Sequence, residues 1–505
     1  MKFLFTLFTC FPILLAAQGF TGFVTDANTG EPLPYASIYV KETGSGTVTN
    51  ENGRYQLKLR SGNYTLVFQY LGYTTDVRSV SSGGGYQTLD IRLDGEALDL
   101  EVIEVVDGGE DASYTVIRRA ISKADYHLNQ VEEYSAQVYI RGTGKVNKIP
   151  GLIMKMIPKE DRNDIDTTQA FVTESVSKIT YKRPNTFSQE VISKYEVGQM
   201  GADATPYLFG TFYQPKVADA ISPLSTKAFS YYRFEHQGLF VDRDRFINKI
   251  KVIPRSRGEG VFAGFIYIVQ DDWSIHSLDL QLYKSGFDFQ ARQTYAPVQD
   301  KVWMPVSTNV DLLGKIFGVE LQGHYVSTIS DYEIQLNPDL PAYVEVIDEK
   351  TNPEKAEAVT KENRNRSYEQ RLEEGGELTR KELFRLMRSY EKEERKEAEE
   401  PQVTSNYTLK DDSATVVRDT AEWAQLRPVP LSPLEEKSYA IQDSLIRNGI
   451  ITQDTTNEAE EAVASATIGT DGVTDVSFGG KNKFLYFSPS LDILNAVEGF
   501  SAGVK

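Results

Sequence analysis

Phe265-Ile266-Tyr267-Ile268-Val269, Gln270-Asp271-Asp272-Trp273 and Leu278-Asp279-Leu280-Gln281-Leu282 follow one another in the middle of the chain. The first run is apolar and β-branched, the second is polar and turn-forming, and the third alternates apolar with polar residues. A period of two over such a length marks a strand with one buried side. Two strands joined by so short a polar turn pair antiparallel. Phe317, Val319 and Leu321 resume the alternation after Gly314. The reading extends from about Tyr134 to Ile334 as an antiparallel meander with one buried face. Such a face needs a cover. Tyr114, Ile117, Ile121, Ala124 and Leu128 recur at three- and four-residue intervals, which predicts a helix whose apolar stripe lies across the concave side. Helix and meander together define an α+β domain over residues 112–345.

Upstream, turn signals recur at Asn28-Thr29-Gly30, Asn50-Glu51-Asn52-Gly53, Ser61-Gly62-Asn63 and Gly83-Gly84-Gly85. Between them, Tyr64, Leu66 and Phe68 alternate with Thr65, Val67 and Gln69, and the run Thr88–Leu93 alternates in the same way. This spacing predicts a seven-strand-type β-sandwich over residues 19–95. Ahead of it, Lys2, the apolar run Phe3–Leu15 and Ala16-Ala17-Gln18 have the layout of a cleaved signal peptide over residues 1–18. Cys10 is the single cysteine and lies inside that segment. The mature chain is therefore expected to use neither disulfides nor thiolate chemistry. Beyond the signal no apolar run is long enough to cross a bilayer as a helix.

Downstream, residues 346–450 form a charged helical segment. Thr379 and Glu382 are placed as a capping box before Leu383, Leu386, Met387 and Tyr390. Ser432-Pro433-Leu434-Glu435 starts a second helix, with Pro at its first position. Residues 451–482 read as an acidic disordered linker. Residues 483–505, with Phe484-Leu485-Tyr486-Phe487, read as the start of an outer-membrane barrel that one strand cannot close. The fold class expected is mainly β: sandwich, α+β meander domain, charged helices, linker.

Two groups of motifs carry resemblances. Gly22–Asp26, Thr29-Gly30-Glu31-Pro32-Leu33-Pro34-Tyr35-Ala36, Asn52-Gly53-Arg54-Tyr55, Gly62-Asn63-Tyr64 and Tyr70-Leu71-Gly72-Tyr73 resemble the carboxypeptidase-regulatory-like domain, a transthyretin-type sandwich. Thr173–Lys178, Tyr181-Lys182-Arg183-Pro184-Asn185, Ser222-Pro223-Leu224, Trp303-Met304-Pro305, and Trp423 with Arg427-Pro428-Val429-Pro430-Leu431 resemble a Bacteroidetes outer-membrane-associated family of unknown function, DUF5686-like. That family pairs such a sandwich with this β domain and usually continues into an outer-membrane barrel. The resemblance implies an architecture and no chemistry.

The residues themselves exclude several functions. A net charge of −18 argues against nucleic acid as a partner. A zinc carboxypeptidase needs an imidazole and a carboxylate three residues apart plus a second imidazole. Counting three residues along from His127, His236, His276 and His324 gives Gln130, Leu239, Asp279 and Ser327. Only His276 has a carboxylate there, on the opposite face of a strand, and His276 reads as a strand-surface residue. No nucleophile elbow of the G-x-S-x-G kind occurs, and Gly44-Ser45-Gly46 sits in the sandwich. Asp242 with Asp244, and Asp271 with Asp272, are pairs of carboxylates in a chain holding 72 acids. Arg255–Gly260 reads as a solvated hairpin, Trp273 and Trp303 as packing residues, and the helix around Lys381 as a solvated spacer. No catalytic, cofactor-binding or metal-ligating residue is therefore singled out. The expectation is a non-catalytic cell-envelope protein, periplasmic and outer-membrane associated, with envelope components as partners and a lipid or glycan as candidate ligand. The alternatives are a carboxylate-based hydrolase and the N-terminal part of a TonB-dependent transporter-like protein.

Overall fold

The computed structural model describes residues 18–95, 111–156, 171–184, 186–197, 211–217, 219–256, 258–284, 286–299, 301–316 and 318–340. It also describes 346–347, 353–363, 377–379, 381–382, 385, 406–410, 416–417, 420–447, 468–469 and 472–473. The expected signal, almost all of the expected acidic linker and the expected barrel strand lie outside the described residues.

The first domain is built from β1 (Gly19–Asp26), β2 (Ser37–Val40), β3 (Ser45–Val48), β4 (Arg54–Lys58), β5 (Gly62–Gln69), β6 (Asp76–Ser82), β7 (Tyr86–Thr88) and β8 (Ile91–Leu93). One sheet runs β4-β1-β7, with β8 also on β1, and the other runs β3-β2-β5-β6. Leu66 and Phe68 meet Phe20, Val24 and Tyr55 between the sheets, with Tyr64, Tyr70 and Tyr73 at the rim. The alternation expected along β5 is there, but Val67 on its other side is buried too, against Ala296 and Val306 of the second domain. The run from Thr88 to Leu93 is interrupted at Leu89-Asp90. There the Asp90 carboxylate accepts the Phe23 amide at 2.9 Å, and the strand passes from one stretch of β1 to another.

Helix α1 (Ala112–Asn129) follows. Its cap is Asp111, which accepts the amides of Ser113 at 2.8 Å and His236 at 3.0 Å. One side chain thus starts the helix and ties it to the sheet. Then come β9 (Val131–Lys148), α2 (Gly151–Met156), β10 (Phe171–Lys182), β11 (Thr186–Val197), and a small ribbon of β12 (Lys216–Val217) and β13 (Ala220–Ile221). After α3 (Ala228–Tyr231) the meander proper runs through β14 (Tyr232–Asp242), β15 (Arg245–Pro254), β16 (Phe262–Val269), β17 (Ile275–Lys284), β18 (Phe287–Gln299), β19 (Val302–Ile316) and β20 (Val319–Leu336).

These strands and β9–β11 form one antiparallel sheet, ordered β14-β15-β16-β17-β18-β19-β20-β9-β10-β11. The chain crosses from β11 to the far edge and works back to β9. Downstream of β20 lie β21 (Val346–Ile347), α4 (Pro353–Glu362) and β22 (Leu378–Thr379). β23 (Asn406–Lys410) and β24 (Val416–Val417) then add parallel to β11, bringing the sheet to twelve strands. Gly314 is a strand residue. It lies inside β19, where a Cβ would stand 2.2 Å from the Phe287 ring, and Gly318, at φ +84°, precedes β20. Phe317 itself is outside the described residues.

The inner face of the sheet carries Ile266, Leu278, Leu280, Leu282, Phe289, Ala291, Val310 and Leu312, and α1 lays Val116, Ile117, Ala120, Ile121 and Ala124 onto it. Phe212, Tyr213, Phe229 and Leu378 close the same core. The space under the helix is filled by side chains. The C-terminal starts are also formed as expected: Thr379 and Glu382 exchange bonds of 3.0 and 3.2 Å. Ser432 and Glu435 do the same at 2.7 and 3.3 Å, opening α6 (Pro433–Arg447) behind α5 (Thr420–Leu426). Leu383, Leu386, Met387 and Tyr390 lie outside the described residues.

Candidate binding surface on the outer face of the sheet

The inner face of the meander is covered by α1, and the outer face is partly covered and carries rows of polar and charged side chains. Residues directly opposite one another in adjacent strands share a face. The register therefore lines up Asp279, Arg292, Asn309, Val326, Arg141, Glu174 and Tyr195 across seven strands. A second row holds Gln281, Gln290, Asp311, His324 and Thr143. The rows are tied together. Gln290 donates to Asp279 at 2.8 Å, Arg292 Nη1 to Asp311 at 2.8 Å, and His324 Nδ1 lies 2.7 Å from the other Asp311 oxygen. Burial would raise the Asp311 carboxyl, but His324 and Arg292 outweigh it and hold the group below the usual carboxylate range. The sandwich caps this end by stacking Tyr35 on the His324 ring, centroids 4.2 Å apart.

At the other end the outer face is sealed by a strap, Leu426 to Ser432, between α5 and α6. Two cations and two acids meet beneath it. Arg427 Nε donates to both Glu174 oxygens, at 2.8 and 2.9 Å. The Tyr139 hydroxyl adds a bond of 2.6 Å to Glu174, and Arg141 Nε lies 2.9 Å from Glu435. All four charged side chains are buried. Four successive strap carbonyls are held from two domains. Thr47 of the sandwich takes Pro428, Arg141 of the sheet takes Val429 and Pro430, and Asn50 of the sandwich takes Leu431. Trp423, Val429 and Tyr439 pack with Val48, Val172, Val176 and Val326 in one cluster. Proline at 428 and 430 suits a segment that must stay extended and whose carbonyls rather than amides are used.

The residues weighed from sequence are dispersed. His276 is buried rather than on the strand surface: a register shift beside it turns its ring toward Asp242 at 3.3 Å and Ser277 at 3.0 Å. Burial would raise Asp242, yet His276 and Arg243 hold its carboxyl well below the usual range. Asp244 is exposed, away from Asp242, and Asp271 is exposed while Asp272 bonds Arg245. His236 bonds Asn248 at 3.1 Å. Arg255 Nε is held by the Phe229 carbonyl at 2.9 Å, and Arg257 is outside the described residues. Trp303 and Trp273 are buried with Arg245 and Arg119 over their rings. Lys381 is exposed. Among the described residues no three His, Asp or Glu side chains converge as a metal site.

His127, in the last turn of α1, lies against Tyr213 and bonds the Asp272 carbonyl at 3.0 Å. Burial pushes its pKa down from 6.5 to about 4, only partly offset by that bond. The unfolded chain therefore takes up this proton first. Stability is expected to fall as pH drops from 6.5 to 4 and to level off below, by at most about 3 kcal/mol. Denaturation midpoints at both pH values check this. His127→Gln should flatten the slope; an unchanged slope would assign the acid sensitivity elsewhere.

Residues 116–332, the sheet just described, match a family of unknown function, DUF5686. Residues 20–106 match the CarboxypepD_reg-like domain. The chain carries both modules. The DUF5686 sheet thus includes the charged rows, while the strap that seals them lies beyond the matched span. Among curated proteins the chain is similar to the TonB-dependent receptors P39 and P3 of Formosa agariphila, 31% identical over 141 residues and 30% over 122. Those alignments take in 28% and 24% of this chain but only 13% and 12% of the receptors. Solved structures similar to it include a DUF1329 family protein from Desulfovibrio piger and a LolA superfamily protein from Nitrosomonas europaea. The first is 10% identical, covering 43% of this chain and 92% of its own, at a TM-score of 0.19. The second is 8% identical, covering 44% and 95%, at 0.18. TM-scores this low carry no functional inference.

The outer-face rows escaped sequence reasoning. In the sequence Asp279 stands out only by its spacing from His276, and the run Leu278–Leu282 only by its apolar alternation. The available signal was opposite charge at polar positions of neighbouring strands, but it becomes readable only once the register is fixed.

Proposed function

We propose that the protein is a non-catalytic component of the cell envelope, in which sandwich, DUF5686 sheet and strap act as one rigid unit facing the periplasm at the outer membrane. The observation that carries this reading is the double covering of the sheet. Its inner face is packed by α1, and its outer face is bridged by the sandwich and closed by the strap over β9–β11, the face remaining open at the ends of β17–β19. The four imidazoles lie on separate elements, each packed against or bonded to a neighbouring group. An acyl chain entering beneath α1 would have to displace Ile117 and Ala120 from a filled core, which weighs against a lipid cradle. Partial likeness to TonB-dependent receptors supports the envelope location. Cell fractionation with an antibody against the sandwich tests it. Recovery in the outer membrane, with mobility that shifts on heating, is the expected result. A freely soluble product no larger than these residues would sink the barrel-linked reading.

A further inference from the structure

The outer face extends past the edge of the sandwich, and there it is open. Tyr283 on β17 is 51% exposed and Leu313 on β19 is 55% exposed. Asp288 of β18 lies between them in register. Tyr283 and Leu313 stand two residues beyond Gln281 and Asp311, hence on the same side of the sheet. The side chains of Arg292 and Asp311 are themselves 34% and 38% exposed.

We propose that this ledge binds a neutral oligosaccharide lying along the sheet. Its floor consists of planar hydrogen-bonding groups: the Gln281 and Gln290 amides, the Asp279, Asp288 and Asp311 carboxylates and the Arg292 guanidinium. They hold one another in place, Gln290 on Asp279 and Arg292 on Asp311. Side chains already fixed lose little entropy on binding. Planar groups can engage adjacent sugar hydroxyls two at a time, and exposed Tyr283 offers an aromatic surface for the C–H side of a ring, with Leu313 two strands away across Asp288. Arg292 answers both Asp279 and Asp311, Asp288 adds a further carboxylate, and the ledge keeps a negative charge like the chain as a whole, which carries −18. That charge repels polyanions. A peptide adding as a strand needs a free sheet edge, and β17–β19 are interior strands. A lipid needs a continuous apolar groove, and this floor is polar.

The inference stands apart from the envelope reading, because purified full-length chain tests it wherever the protein resides in the cell. Native gels cast with starch, β-glucan or mannan are expected to retard the chain in at least one case, and calorimetric titration with the matching oligosaccharide measures the affinity. Tyr283→Ala lowers that affinity about tenfold. Phe23→Ala, which removes a comparably exposed aromatic from the sandwich, leaves it unchanged. Both substitutions lie at the surface, where the fold tolerates them. Unretarded migration in every gel overturns the proposal. So does retardation by a polyanion alone, or a Tyr283→Ala chain that binds like its parent.

Discussion

Replacing Glu174 by alanine is expected to lower the unfolding free energy by about 3–5 kcal/mol. Its carboxylate has no exposure to solvent and answers two guanidiniums and a tyrosine hydroxyl at once. Removing it leaves Arg427 charged, buried and without its counter-ion, while Arg141 keeps only Glu435. The cost arises from a stranded charge rather than from a lost attraction. A second variant separates the two. Glu174→Leu combined with Arg427→Leu removes both partners and should be less destabilised than Glu174→Ala alone, despite altering more atoms. Denaturant midpoints for the two proteins decide it. If the double variant is the weaker, the stranded-charge explanation is wrong.

The second large effect is expected at Trp423. Its side chain is wholly buried and shares a cluster with residues of the sandwich, the sheet and α6. Trp423→Ala opens a cavity where three parts of the molecule meet, at a cost of about 3–5 kcal/mol. The loss should also be local in character. Hydrogen exchange at β3, whose Thr47 holds the strap, should quicken well before exchange at β16–β18 in the interior of the sheet. Uniform acceleration across both domains would mean that the strap does not hold the sandwich down.

Much of the fold was legible because it rests on short-range pattern. The 3.6-residue stripe of Tyr114–Leu128 became α1, the alternation in Leu278–Leu282 became β17, and the caps at Thr379 and Ser432 formed as their spacing predicts. Those signals reside in neighbouring residues. What escaped depends on register and docking. Val67 and Gln69 read as the outer side of a strand, yet both are buried. His276 read as surface because a single register shift is invisible in sequence. Arg427-Pro428-Val429-Pro430-Leu431 could be recognised by resemblance but not understood, since its partners Thr47, Asn50, Arg141 and Glu174 lie hundreds of residues upstream. The outer-face rows belong to the same class: each side chain is ordinary alone and acquires meaning from the strand beside it.

The strap also sets an order of events in time. Thr47 and Pro428 are 381 positions apart, and Asn50 and Leu431 are separated by the same distance. A ribosome adding about 5–20 residues per second needs on the order of half a minute to make the stretch between them. For the last part of that interval, the roughly 90 residues from the end of β20 at Leu336 to the strap, the newborn chain holds the sandwich and the ten antiparallel strands without the segment that locks them. Arg141 and Glu174 then face water, which serves as their provisional partner. The last long-range step of maturation is therefore a drying step, in which a late-made proline-containing segment expels that water and turns two neighbouring domains into one body.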